Sequence, residues 1–191
     1  GDCAADPVTN RIGIAAIRLL NGRTAPHSDM LLWSKTETPA NCMRQMLNIL
    51  FSVPQISVLL TVIPEAQLKA VKRFTDYWTE NRDVLLEGRF KAVSPTANYS
   101  LMSSEKNGRR ISVLYETGQA ALSLPEEDVW NCTANEFITV LTYAETVYSI
   151  FDWSGAKLGG GTLLPGASVL KLPAGGLARF IKTSFEENAD R

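Results

Sequence analysis

The chain has 191 residues, with 19 Lys and Arg against 20 Asp and Glu, a net charge of −1. That balance leaves no basic face for nucleic acid and no polybasic patch for an anionic membrane, and no apolar run approaches the ~20 residues of a spanning helix. Hydrophobic residues at 45% suit an ordinary globular core, while Cys3, Cys42 and Cys132 are scattered and odd in number, which suggests neither a disulfide framework nor a zinc site. Reduced thiols suit the cytoplasm and are compatible with a periplasm or secretion. The chain starts at Gly1 without a Met, so a longer parent is expected.

In chain order, Asp6-Pro7 reads as a helix N-cap followed by Pro at the first helical position. Ile12, Ala16, Leu19 and Leu20 then follow a helical spacing up to Asn21-Gly22. Residues 23–32 hold one short predicted strand. Within it lies His27-Ser28-Asp29, which carries the only histidine, followed by the apolar run Met30 to Trp33. Polar residues at the mouth of a buried strand are how an α/β barrel builds a site; the alternative is that His27 and Asp29 simply hydrogen-bond the loop in place. Thr38-Pro39 opens a second helix with Met43, Met46, Leu47, Leu50 and Phe51 on one face. A Met stripe of this kind is core packing. Pro54 ends that helix, Ile56 to Leu60 is a short predicted strand, and Pro64-Glu65 opens a third helix that Gly88 stops. Helix, strand, helix, strand, helix is the rhythm of a parallel α/β sheet, yet a (β/α)8 barrel needs about 250 residues. Residues 1–88 therefore read as the terminal portion of such a barrel.

After Gly88 the hydrophobic period changes. Short β-branched or aromatic runs at 111–115, 137–141, 147–151, 168–172 and 177–181 are separated by Gly, Asn and Pro clusters. Gly155, Gly159-Gly160-Gly161 and Pro165-Gly166 read as turns, and the triple Gly lacks the Lys-Ser or Lys-Thr of a phosphate cradle. Residues 89–191 are thus expected to form an antiparallel β-sandwich. Asp152-Trp153 reads as structural.

Several separated motifs fall together in a recognisable order. Gly1-Asp2-Cys3, Asn10-Arg11, Arg18-Leu19-Leu20, Gly22, His27-Ser28-Asp29-Met30-Leu31, Trp33, the run from Leu50 to Ser57, and Leu85-Leu86-Glu87-Gly88 resemble bacterial α-galactosidases of glycoside hydrolase family thirty-six. The resemblance covers about the first hundred residues and continues more weakly into that family's C-terminal β domain. It departs at Pro26 and Ser34, positions that bear on fine specificity. In such retaining enzymes one carboxylate attacks the anomeric carbon, while a second, about 5 Å away, protonates the leaving oxygen and later activates water.

The resemblance implies that Asp2 is the general acid/base and that Cys3, Arg11, His27, Ser28 and Asp29 contact the sugar or support its pocket. It supplies no nucleophile: that residue belongs to an earlier barrel strand, and neither Asp76 nor Asp152 substitutes for it. No metal and no cofactor are implied. The expected partners are an α-galactoside in the intact parent, and either the remaining N-terminal part of the barrel or a second copy of the chain. The isolated chain is expected to be inactive. A non-enzymatic carbohydrate-binding or interface module carried by the sandwich is the alternative, favoured by a cluster of exposed aromatics on one sheet face.

Overall fold

The computed structural model describes residues 6–21 and 24–183. Helix α1 (Pro7–Asn21) begins where Asp6 caps it. The Asp6 Oδ1 accepts the backbone N–H groups of Val8 and Thr9, both at 2.9 Å. Helix α2 (Pro39–Leu47) is capped by Thr38, whose hydroxyl accepts the Asn41 N–H at 3.2 Å. It is shorter than its apolar stripe predicts: residues 48–51 continue as turns, with Ile49, Leu50 and Phe51 fully buried. Helix α3 (Glu65–Glu87) packs against α2. The strands expected at 23–32 and 56–60 reduce to two short extended segments, paired in parallel at His27 with Val53 and at Leu31 with Ile56.

Ten strands follow: β1 (Arg89–Val93), β2 (Leu101–Lys106), β3 (Arg109–Leu114), β4 (Gln119–Leu122), β5 (Glu126–Asn131), β6 (Phe137–Thr142), β7 (Thr146–Phe151), β8 (Lys157–Leu163), β9 (Gly166–Lys171) and β10 (Leu177–Lys182). They form a seven-stranded sheet, β1-β2-β3-β5-β10-β7-β8, and a three-stranded sheet, β4-β6-β9. The molecule is mixed α/β and mostly sheet.

Two expectations need correction. Pairing in the second half is not purely antiparallel, because β3 pairs with β5 and β4 with β6 in parallel. The chain alternates between the sheets from β3 to β7, so each return to a sheet arrives in the direction of the previous visit. The Gly159-Gly160-Gly161 run is also not a turn but the middle of β8, at the edge of the large sheet. There a Cβ on Gly160 would lie 2.5 Å from the Tyr148 carbonyl, and one on Gly161 would lie 3.3 Å from the Tyr148 ring. Close approach to β7 thus selects residues that ordinarily weaken a strand.

Strand alternation gives the large sheet two different faces. Ile111, Val113, Trp130 and Leu177 join a core with Met46, Phe51, Phe74 and Tyr77 from the helical half. Leu114, Val129, Ala178 and Phe180 join a second core with Leu122, Val140 and Leu170 of the small sheet. The layers therefore run helices, large sheet, small sheet.

Adjacent acids on β5 follow the same alternation. Asp128, 2% exposed, faces α3: it accepts the Tyr77 hydroxyl at 2.8 Å, Arg179 Nε at 2.9 Å and an Arg109 amino group at 3.2 Å. Burial, and then the Asp128 charge, push the Tyr77 phenol well above its usual range, so it remains a donor. Glu127 accepts Arg110 Nε at 2.7 Å, and Arg110 also donates to the Ala121 carbonyl on β4 at 2.6 Å.

Candidate functional site

The parallel pair between the helices positions the residues singled out by sequence. Val53 donates to the Pro26 carbonyl at 2.8 Å and accepts from the Ser28 N–H at 3.0 Å. Further along, Leu31 donates to the Gln55 carbonyl and accepts from the Ser57 N–H, both at 3.0 Å. The paired positions advance from His27 to Leu31 on one segment but only from Val53 to Ile56 on the other. One residue is therefore extra on the first segment, which is a bulge, a device found beside active sites.

Two side chains repair the ladder at that bulge. Ser28, buried, accepts the Gln55 N–H on its hydroxyl at 2.7 Å. Asn10, on α1, clamps the backbone of Asp29 from both sides. Its Nδ2 donates to the Asp29 carbonyl at 3.0 Å, and its Oδ1 accepts the Asp29 N–H at 3.2 Å. The amide thus takes the place of a neighbouring strand, and the direction of the half-buried Asp29 is set by α1. His27 precedes this clamp and is exposed.

The loop after the segment is held from α3. Gln67, 1% exposed, donates to the carbonyls of Ser34, Lys35 and Glu37 at 3.1, 3.0 and 2.8 Å. Its Oε1 accepts the Trp33 indole N–H at 3.1 Å. Asn10 and Gln67 are the positioning residues that pattern reading missed. Asn10 stands in a quoted motif, but only its reach across 19 residues to Asp29 reveals its task.

Asp2 and Cys3, the expected acid/base and its neighbour, lie outside the described residues. Arg11 turns to a different place from Asn10. Its guanidinium stacks 4.1 Å from the Tyr115 ring centroid and donates to Asn48 Oδ1 at 3.1 Å. The structure thus gathers Ser28 and Asp29 with Asn10 and Gln55, while the contacts of Arg11 are with α2 and the end of β3.

Asp76 and Asp152 have structural partners, and the thiols of Cys42 and Cys132 are buried. Asp76 pairs with Lys72 at 2.7 Å on the exposed side of α3. Asp152 Oδ1 accepts from the Ser154 N–H, the Ser154 hydroxyl and the Ala156 N–H, closing the turn into β8. Burial pushes the Cys42 thiol up to about 11 and the Cys132 thiol up to about 12, so neither is a ready thiolate. Among the described residues no group of three His, Cys, Asp or Glu is arranged to hold a metal ion. No family profile and no curated protein matches the chain.

Proposed function

We propose that the chain is the C-terminal part of a retaining α-galactosidase. Residues 1–88 supply the last units of a (β/α)8 barrel, and the two packed sheets after Gly88 form an accompanying β-sandwich. One observation carries the barrel reading: the segments at His27 and Val53 pair in parallel with α2 lying between them in sequence. Parallel neighbours require a crossover, and a helix is the usual one. Leu32, Leu59 and Leu60, which follow the paired positions in sequence, are exposed, as expected where further barrel units or a second copy would cover them.

In this reading Asp2 protonates the glycosidic oxygen as a carboxylate from an earlier barrel strand attacks the anomeric carbon. Asp2 then removes a proton from the water that releases galactose. Asp29, whose backbone is held by Asn10, and exposed His27 contribute to the sugar pocket. An interface module built on exposed aromatics gains no support from the small sheet. Its exposed Phe137 and Tyr143 lie at opposite ends of the six-residue β6 and share no platform.

The test is hydrolysis of an aryl α-galactoside. The 191-residue chain alone should release no phenol, since an acid/base contributes only ~10²–10⁴-fold. Joined to its preceding reading frame it should turn over. Asp2→Asn in that longer protein should then slow substrates with poor leaving groups most, and azide should rescue those with good ones. Turnover by the isolated chain as a monomer would overturn the fragment reading. Unchanged activity of Asp2→Asn on a natural galactoside would remove Asp2 as acid/base.

A further inference from the structure

The large sheet has seven strands and the small one three, so part of the large sheet's inner face is left uncovered. A groove of about 280 Å³ lies there, between β1, β2 and β3 on one side and β4 on the other. Its lining runs from Lys91 to Ala121, so it shares no residue with the segments around His27 and Val53. The volume falls just under the ~300 Å³ at which small-molecule sites begin, which suits a small ligand.

Strand register sorts the floor into rows. In the middle row Lys91 pairs with Ser103, and Ser103 with Ser112. Two residues along, Val93 pairs with Leu101, and Leu101 with Leu114. Two residues the other way, Arg89 pairs with Glu105, and Glu105 with Arg110. Alternation puts these rows on one face, about 7 Å apart, while Met102, Ile111 and Val113 face the helices.

The middle row defines the ligand. Ser103 is 5% exposed and Ser112 is 4% exposed, yet neither hydroxyl makes a hydrogen bond among the described residues. Buried hydroxyls ordinarily have a partner, and these two stand side by side on the groove floor. Lys91 is next to them, exposed and without an ion pair among the described residues. The charged row is already neutralised, because Arg89 and Arg110 pair with Glu105 and Arg110 also holds Glu127. Two hydroxyl donors and one unspent ammonium match the two oxygens and single charge of a carboxylate. A dianion would set its second charge against Glu105 or Glu116, and a cation would meet Lys91. The row of Val93, Leu101 and Leu114, with Ala120 on β4, receives an apolar tail.

We propose that this groove binds a small monocarboxylate with an apolar tail, its carboxylate on Ser103, Ser112 and Lys91. The proposal does not rest on the α-galactosidase reading.

The test is titration of the full chain with acetate, butyrate and hexanoate, followed by amide resonances. Saturable shifts are expected at Leu101, Ser103, Ser112 and Ala120, with affinity rising up to about fourfold for each added methylene. Hexanamide, which keeps the shape without the charge, should bind about tenfold more weakly than hexanoate, and Lys91→Gln should weaken hexanoate by a similar factor. Ser103→Ala and Ser112→Ala should each weaken binding without lowering the melting temperature, since neither hydroxyl holds any part of the fold; a merely structural role would lower it. Lys91 is exposed, so Lys91→Gln keeps the fold and the test stands even if a serine variant does not. Hexanamide or hexylammonium binding as tightly as hexanoate would overturn the proposal. So would tighter binding of phosphate or of an acetylated tripeptide ending in Leu, shifts confined to residues before Gly88, no saturation by any probe, or affinity unmoved in Lys91→Gln.

Discussion

The two halves of the molecule solve the same backbone problem differently. After Gly88 the strands meet strands, and the large sheet is covered on one face by helices and on the other by the small sheet. Before Gly88 two extended segments pair with each other, and several of their other backbone groups and those of the following loop are met by side chains among the described residues. Ser28 takes the Gln55 N–H, Asn10 takes both groups of Asp29, and Gln67 takes three carbonyls of the following loop. A ladder made by side chains specifies one geometry, whereas a ladder between strands tolerates exchange of most side chains. The first half is therefore where single polar substitutions change shape, and the second is where they change stability.

The largest effect that sharpens this contrast belongs to Asp128. Removing a buried carboxylate that holds two guanidiniums and a phenol should cost about 3–5 kcal/mol, because Arg109, Arg179 and Tyr77 lose their shared acceptor. Urea unfolding of Asp128→Ala should show a lower midpoint with an unchanged slope. A loss below ~1 kcal/mol would mean that the helices do not depend on this anchor.

Asn10→Ala comes next, at about 1–3 kcal/mol for backbone groups left without partners. Its distinguishing sign is local. Hydrogen exchange at the Asp29 N–H should accelerate far more than exchange on β3 or β5, and Ser28→Ala should do the same at Gln55. Uniform acceleration across both halves would erase the contrast.

The smallest effect is at the Asp6 cap. Asp6→Ala should cost about 1 kcal/mol at neutral pH. Hydrogen bonds from Thr9 hold the Asp6 carboxyl below its ordinary 3.8. Its contribution is therefore present above the unfolded value and lost as pH falls through the lower folded one. Wild type and Asp6→Ala should converge in stability in acid, once the pH is below the folded value.

Local chemistry was legible where it is local. Asp6-Pro7 and Thr38-Pro39 mark the starts of α1 and α2, and the period change at Gly88 separates α3 from β1. Asn107-Gly108, with φ of 51° and 76°, is a two-residue hairpin turn joining β2 to β3. It would have located β2, whose own sequence is too polar to stand out. β5 is absent from the expected strands because Glu126, Glu127 and Asp128 break any apolar run, whereas Glu127 and Asp128 are buried against arginines that arrive from β3 and β10. For the candidate site, the residues at positions 27–29 stand out by type, but the clamp on Asp29 depends on a helix 19 residues away. No spacing rule encodes that reach.

The Arg110 bond to the Ala121 carbonyl has a consequence beyond the fold. Strand β4 lies at an edge of the small sheet, and an edge with open carbonyls is a template on which another chain can grow as a fibril. Arg110 spends one of those acceptors inside the molecule and leaves a charged group in the path of an incoming strand. The same side chain that pairs with Glu127 thus occupies part of the β4 edge.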